Sequence, residues 1–261
     1  MNNNNFNELS NRKLDNCLIY LLVIPVKISY KLNNLQCIEK ELYVFFSCNI
    51  KGVRKYVTSV FADDLIKTSD WYNLLLSLKN RGINIIFYAI IPNNDKLSKA
   101  LKLTFNEINI LISYSEIINK MNSYYTQSYT RNFYEIIRKI YISNDINGFN
   151  IAYNDFCDEY ANYSFIKDLL ENDFKRVKQY YNIDYEIRRF IFSIYFYRDT
   201  LKILHVVAHS KKYFISIEEF INELIPTIQR IELRMFCKKS ELMSIINKLY
   251  INYKDLIKPY L

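Results

Sequence analysis

A pair of histidines is the feature of this chain that most directly suggests metal chemistry. His205 and His209 lie four residues apart in the segment His-Val-Val-Ala-His, the spacing at which two imidazoles on one helix face hold zinc. A hydrolytic zinc site also needs a glutamate directly after the first histidine, and that position holds Val206. Because no cysteine lies nearby in the sequence either, we interpret the histidines as a structural or surface pair, with a zinc site as the alternative.

Clusters of lysine and arginine beside aromatic residues suggest a second kind of chemistry, the binding of phosphate groups. The clusters are Lys51/Arg54/Lys55, Lys175/Arg176/Lys178, Arg188/Arg189, Lys202 and Lys211/Lys212. Non-specific binding to nucleic acid needs only contacts of this kind. The alternative is that each cluster is the solvated face of a helix.

The net charge is compatible with both interpretations of these clusters. The chain has 35 Lys and Arg against 27 Asp and Glu, a formal net charge of +8, which suits a polyanionic partner such as nucleic acid. The composition is also rich in Asn, Ile, Lys and Tyr, a bias typical of an AT-rich genome. Such a bias raises the lysine content whatever the function.

Several other kinds of site have no motif in the sequence. There is no glycine-rich phosphate loop, no Ser-His-Asp order and no Cys-His nucleophile pair. The five cysteines are odd in number and include no Cys-x-x-Cys pair, which indicates a reduced, intracellular setting. The apolar run at residues 18–26 lacks a signal-peptide cleavage site and, interrupted by Pro25, is too short to span a bilayer. We expect a buried strand there and no membrane association.

The composition favours helices joined to a modest sheet. Half of the 261 residues are hydrophobic, so the chain can bury a large core. Three glycines and four prolines are too few for a turn-rich β-sandwich. Runs of Ile, Val, Phe and Tyr predict strands at residues 18–29, 41–49, 54–62, 84–91 and 107–112. Helical spacing of apolar residues predicts helices at 71–81 and 95–104, and later at 131–141, 151–160, 165–181, 185–205 and 217–250.

The order of these elements predicts an α/β fold. The first three strands form a meander, in which a hairpin turn at residues 49–52 joins the second to the third. A helix, a strand, a helix and a strand follow. Strand-helix-strand units require parallel crossovers whereas a meander is antiparallel, so the sheet should be mixed and flanked by helices.

The same segments, with several short motifs, resemble the Mutator-type insertion-sequence transposases of bacteria. The matching motifs are Gly52-Val-Arg54-Lys55, which resembles the family's Gly-Arg-Lys turn; Trp71; Leu78-Lys-Asn-Arg-Gly82; Tyr180-Tyr181; Glu186-Ile-Arg-Arg189; and Phe214 with Ser216. The resemblance covers residues 18–224. It implies an RNase H-like core whose Asp-Asp-Glu set holds two divalent metal ions.

The acids of that set have no counterpart at the matching positions. Counting from the motif residues Lys27, Gly82 and Glu186, the three acid positions hold Leu22, Pro92 and Arg198. A hydrocarbon, a proline ring and a cation cannot hold Mg²⁺, which requires oxygen ligands. The resemblance therefore implies a catalytically inactive protein with no bound metal and no cofactor. Asp95 and Asp199 lie close to two of the positions, so an active enzyme with displaced acids is an alternative.

The resemblance also assigns a role to the basic residues. On the family's architecture they would face a DNA channel, and the residues we predict to contact nucleic acid are Lys27, Arg54, Lys55, Arg188, Arg189, Lys202, Lys211 and Lys212. Self-association is implied by the resemblance alone, since such transposases act as oligomers.

We predict four segments: a disordered tail at residues 1–14, the first part of an RNase H-like core at 15–122, a helical insertion at 123–184, and a helical part completing the core at 185–261. The predicted function is that of an intracellular, transposase-derived protein that no longer cuts DNA and binds DNA or a protein partner. The alternatives are a scaffold without DNA affinity and the enzyme with displaced acids.

Overall fold

Five strands form one mixed sheet in a computed structural model, which describes residue 9 and residues 11–32, 36–113, 130–160, 164–192, 194–233 and 239–261. The strands are β1 (Cys17–Leu32), β2 (Gln36–Asn49), β3 (Arg54–Phe61), β4 (Ile85–Ile91) and β5 (Asn109–Ile112). Their order across the sheet is β3-β2-β1-β4-β5. β1 is antiparallel to β2 and parallel to β4, and β2 is antiparallel to β3. The α/β class with a mixed, RNase H-like sheet is confirmed.

β1 is the central strand, and its sequence reflects two different environments. Residues 18–24 are all at most 1% exposed, which explains their continuous apolar run, since a strand covered on both faces has no polar side. Pairing with β4 ends at Leu22 and Ile90, while pairing with β2 continues to Leu32. Further along β1, Lys27 is exposed and Ile28 is buried, the alternation expected of a strand with one solvated side.

Two helices accompany the sheet, and a glycine ends the first of them. They are α1 (Thr68–Asn80) and α2 (Asp95–Thr104). Trp71, Leu75 and Leu78 are the buried residues of α1. Gly82 has φ +124°, and a Cβ there would lie 2.8 Å from the carbonyl oxygen of Leu14. The predicted glycine stop is therefore needed for both conformation and space.

The predicted hairpin turn is confirmed, whereas the start of the last strand is corrected. The amide of Gly52 donates to the carbonyl of Asn49 at 2.9 Å, and Gly52 has φ +75°. The Asn49 side chain accepts from the amides of Lys51 and Val53, the usual role of Asn in a turn. β5 begins at Asn109 and not at Glu107, because Glu107 has φ +59°, a left-handed conformation that a strand cannot contain.

Asn109 joins the sheet to the carboxyl-terminal part of the chain. Its side-chain amide donates to the carbonyl oxygen of Phe87 at 3.1 Å and to the hydroxyl of Tyr253 at 2.8 Å. The rings of Phe87 and Tyr253 pack with their centroids 5.1 Å apart. The polar contact with Asn109 of β5 and the aromatic contact with Phe87 of β4 therefore hold Tyr253 against the sheet.

The chain divides into two compact units, Met1–Ile110 with Tyr195–Leu261 and Leu111–Ile194. Further helices are α3 (Thr130–Ile142), α4 (Ile146–Glu159), α5 (Ser164–Gln179), α6 (Tyr185–Ile191), α7 (Ile194–Ala208), α8 (Ile217–Leu233), α9 (Lys239–Asn252) and α10 (Lys254–Ile257). The predicted helical segments at 185–205 and 217–250 each contain two helices. The predicted start of the insertion, residue 123, lies outside the described residues.

The core of the Leu111–Ile194 unit is aromatic. Phe156 packs edge-on against Phe174 with ring centroids 4.9 Å apart, and Tyr141 packs in the same way on Phe192 at 4.9 Å. Tyr180 is buried, and burial raises its pKa to about 12. Its hydroxyl accepts a hydrogen bond from the amide of Ile112 at 2.7 Å, which satisfies the buried polar group.

The carboxyl end of the segment predicted as a disordered tail, residues 1–14, is ordered. Leu14 is 4% exposed, and its amide donates to the carbonyl of Arg81 at 2.8 Å, so the ordered core already includes this residue. Most of the predicted tail, residues 1–8 and 10, lies outside the described residues. Cys17, Cys37 and Cys157 are free thiols. No helix in the described ranges is long and apolar enough to cross a membrane.

Candidate functional site

The structure brings together two of the three positions at which the resemblance expects acids. Leu22 of β1 pairs with Ile90 of β4, and Pro92 follows Ile90 by two residues. Leu22 is 1% exposed, Ile90 is 3% exposed and Pro92 is buried. The parallel register places one position inside the central strand and the other just past the end of its neighbour.

This pair of positions does not fit the divalent metal ions of the resembling family. Neither side chain carries an oxygen or nitrogen atom with a lone pair, and Mg²⁺ binds oxygen ligands. The backbone of Arg198, the third position, lies within α7, and its side chain is outside the described residues. The side chain of Asp199, a displaced-acid candidate, is also outside them.

Asp95, the other displaced-acid candidate, lies in the first turn of α2 and is exposed. The preceding residue, Asn94, caps this helix by accepting a hydrogen bond from the amide of Leu97 at 3.0 Å. Within the described part of the chain, no group of three or more His, Cys, Asp and Glu residues is placed to hold a metal ion.

His205 of α7 and His209, the residue directly after this helix, form a stacked pair. Their ring centroids are 5.6 Å apart with an interplanar angle of 14°, and Nδ1 of His209 lies 3.0 Å from the carbonyl oxygen of His205. Burial, and secondly the neighbouring His209, lower the pKa of His205 below its ordinary value of 6.5. These contacts favour a neutral His205 with a structural role, the interpretation preferred from the sequence.

Three of the predicted DNA-contacting lysines are engaged by carboxylates. Lys27 lies 3.4 Å from Glu39, and Lys55 lies 3.1 Å from Asp15. Lys211 contacts Glu219 and lies 2.7 Å from Glu223; hydrogen bonds to these two acids raise its pKa. Since a carboxylate beside an ammonium cancels much of its field, these lysines would attract phosphate less strongly than their sequence positions suggest.

Arg188 has a structural role, contrary to the phosphate contact predicted for it. It is 1% exposed, and its guanidinium donates to the carbonyl oxygens of Tyr141 at 3.2 Å, Ile183 at 3.1 Å, Ser143 at 2.9 Å and Asn144 at 3.0 Å. It also stacks 3.9 Å from the ring centre of Tyr181. Burial lowers the pKa of Arg188. Because four of its five N–H donors bind backbone, it is not presented to a phosphate.

The remaining predicted contacts are more open to solvent. Arg189 and Lys212 are exposed, and Arg54 is half-buried. The backbone of Lys202 lies in α7, and its side chain is outside the described residues. Arg188 lines a depression of about 610 Å³ with Lys178, Asn182, Tyr185 and the acids Asp145 and Asp184. The mixed charges of this depression do not favour a polyanion.

Sequence reasoning missed one group of charged residues altogether. Arg12 and Glu232 are 220 positions apart and form an ion pair beside β3. No local pattern connects residues so distant in sequence, because only the tertiary fold brings them together.

One comparison with known proteins gives a match. The sequence model of the family described as "Transposase, Mutator family" matches residues 2–197, well over half of the chain. A comparison with curated proteins finds no match.

Proposed function

The chain belongs to the Mutator family of transposases, and from this membership we propose that it binds DNA without cutting it. The observation that carries the proposal is the burial of Leu22, in the last pair that β1 makes with β4, and of Pro92, two residues after Ile90, the partner of Leu22. In the resembling transposases these positions hold two of the three metal-binding acids.

The loss of cleavage follows from the donor set at these positions. Two-metal cleavage and joining of DNA depend on carboxylate oxygens that fix the ions against both the entering and the leaving oxygen. Leu22 offers only carbon, and Pro92 has a ring with no side-chain heteroatom. The third position holds Arg198, a cation, so none of the three family positions supplies a carboxylate oxygen for Mg²⁺.

Retention of DNA binding rests on charge. The formal net charge is +8, and Arg189 and Lys212 are exposed. Phosphate contacts need neither metal nor bond cleavage, so this part of a transposase's interaction with DNA can persist after its chemistry is lost.

Two assays on the full chain test the two halves of the proposal. In the first, a labelled duplex is incubated with the protein in Mg²⁺ or Mn²⁺, and we expect neither cleavage nor strand transfer. Products that disappear in Asp95→Ala or Asp199→Ala would establish the enzyme with displaced acids.

In the second assay, fluorescence anisotropy measures binding to a generic duplex between about 50 and about 200 mM salt. We expect affinity to fall at least about tenfold over this range, because phosphate binding releases counterions. Absence of binding even at the lowest salt would favour the scaffold without DNA affinity.

A further inference from the structure

The outer edge of the sheet at β3 is closed by side chains. An edge strand normally offers backbone groups to which another strand can bind. In an antiparallel pair, alternate residues direct both N–H and C=O away from the partner strand. At Tyr56 of β3 both outward groups are bound: the N–H donates to Oε1 of Glu232 at 2.6 Å, and the C=O accepts from Nη2 of Arg12.

Arg12 and Glu232 also bind each other, so their two side chains and the backbone of Tyr56 form one connected set of hydrogen bonds. Nη2 of Arg12 donates to Oε1 of Glu232, and Nη1 donates to Oε2 at 3.2 Å. The carboxylate supplies an acceptor and the guanidinium supplies a donor to one residue of β3. A residue of a neighbouring antiparallel strand would supply the same two groups.

The pair is partly shielded from water, which strengthens it. The side chains of Arg12 and Glu232 are 25% and 20% exposed. Bidentate pairs between arginine and a carboxylate have a defined geometry, and partial burial reduces the screening that weakens surface ion pairs.

The carbonyl group of the next residue of β3, Val57, is also bound by an arginine side chain. Val57 is an extra residue between the pairs Phe45–Thr58 and Phe46–Tyr56, so it lies at a β-bulge without a partner in β2. Its carbonyl oxygen accepts from Nη2 of Arg81 at 3.0 Å, and Nε of Arg81 donates to the carbonyl of Arg12 at 3.1 Å.

We infer that Arg12, Arg81 and Glu232, here called the edge clasp, stand in for a sixth strand and prevent β3 from pairing with β3 of a second copy of the chain. A second copy is the expected occupant because an open strand can pair antiparallel with its own sequence about a two-fold axis. The inference concerns the sheet alone and does not depend on DNA binding.

The test compares Glu232→Gln and Arg12→Lys with a matched control, Glu218→Gln, in the full chain. Glu218 is an exposed residue in the first turn of the same helix, α8. Gln at position 232 keeps an acceptor for Tyr56 but loses the ion pair, and Lys at position 12 keeps the charge but cannot reach two partners with a planar fork. Amide hydrogen exchange of Tyr56 is measured, with Val44 of β2 as the internal reference, and sedimentation velocity measures self-association.

We expect exchange at Tyr56 to be about tenfold faster in both clasp variants, the effect of losing one charged hydrogen bond, with no change at Val44 or in the control. Self-association at high concentration should exceed that of the unmodified chain. Wild-type exchange at Tyr56 in both variants would overturn the inference, as would faster exchange without increased self-association. If Glu232→Gln does not fold, the Arg12→Lys result decides on the same criteria.

Discussion

Replacing Arg188 with methionine is expected to destabilise the protein by about 2 to 4 kcal/mol. The methionine has similar length but no donor, so the four carbonyl groups that Arg188 binds, of which that of Tyr141 is buried, lose this donor. The free energy of unfolding is measured by urea titration. Arg189→Met is the control, since Arg189 is the exposed neighbour and its loss should change stability by no more than about 0.5 kcal/mol.

Introducing an acid at Leu22 tests whether this position can still hold a carboxylate. The site is 1% exposed, so Leu22→Asp should cost about 3 to 5 kcal/mol at neutral pH. Burial raises the pKa of the introduced carboxyl above its unfolded value of about 3.9. The variant should therefore be least destabilised below that value and lose stability as the pH rises through the folded-state pKa.

Urea titrations of the Leu22→Asp variant at several pH values, with Leu22→Asn as the uncharged control, measure this effect. If the variant is instead tolerated at neutral pH and gains stability from Mg²⁺, the position retains a metal pocket, and the proposed loss of chemistry is wrong.

The lowered pKa of His205 predicts that stability falls as the pH falls, the opposite of the effect expected for Leu22→Asp. Because burial and His209 lower its pKa in the folded state, the folded protein penalises protonation of this ring. Above 6.5 the ring is neutral in both states and contributes no pH dependence; as the pH falls below 6.5 toward the folded-state pKa, stability is lost. Thermal melts between about pH 5 and about pH 7.5 should show a smaller loss for His205→Gln than for the unmodified chain. An identical loss in both proteins would assign the effect to other groups.

At the scale of elements, Gly82 is required in the turn that connects α1 to β4. Gly82→Ala should destabilise the protein by about 1 to 3 kcal/mol, because φ is +124° and the added Cβ would lie 2.8 Å from the Leu14 carbonyl oxygen. Thermal or urea unfolding measures the loss. Asn80→Ala, an exposed change near the end of α1, is the control, and equal stability of the two variants would contradict this account.

The elements of the sheet could be predicted because their signals are local. The apolar run of β1 and the Asn49–Gly52 turn act within a few residues of themselves, and the positive φ of Gly82 is a local requirement at the end of α1. The start of β5 could not be predicted, because Glu107 adopts a left-handed conformation and glutamate, unlike glycine or asparagine, does not indicate one. The ordering of Leu14 was missed because it depends on Arg81, far along the chain.

The candidate site was also predictable only in part, because local sequence patterns do not show contacts between residues that are far apart in the chain. Residue matching led to Leu22 and Pro92, and the parallel register brings their strands together. The phosphate role of Arg188 could not be judged from sequence, because a guanidinium that binds DNA and one that binds backbone carbonyls have the same neighbours in the chain. Only burial and hydrogen-bond partners distinguish them.

At the scale of the whole molecule, the number of exposed cations that contact phosphate should determine the salt dependence of DNA binding. On the proposed function, Arg189→Ala and Lys212→Ala should each reduce the slope of log affinity against log salt by about one, because each removes one phosphate contact. Anisotropy titrations at several salt concentrations give the slope. Lys175→Ala is the charge-matched control, since Lys175 pairs with Glu171 at 2.8 Å and its loss should change the slope less. Equal slopes in all three variants would mean that overall charge, and not these two residues, governs binding.

The contact of Tyr253 with Asn109 and Phe87 affects how truncation experiments should be interpreted. A shortened chain lacking Tyr253 would leave the Asn109 amide without one acceptor and uncover an aromatic face of β4. Such a fragment would be prone to precipitation and proteolysis in cells. Phenotypes mapped by deletion from the carboxyl terminus would then report protein abundance, and point substitutions are the better way to assign roles to residues in that region.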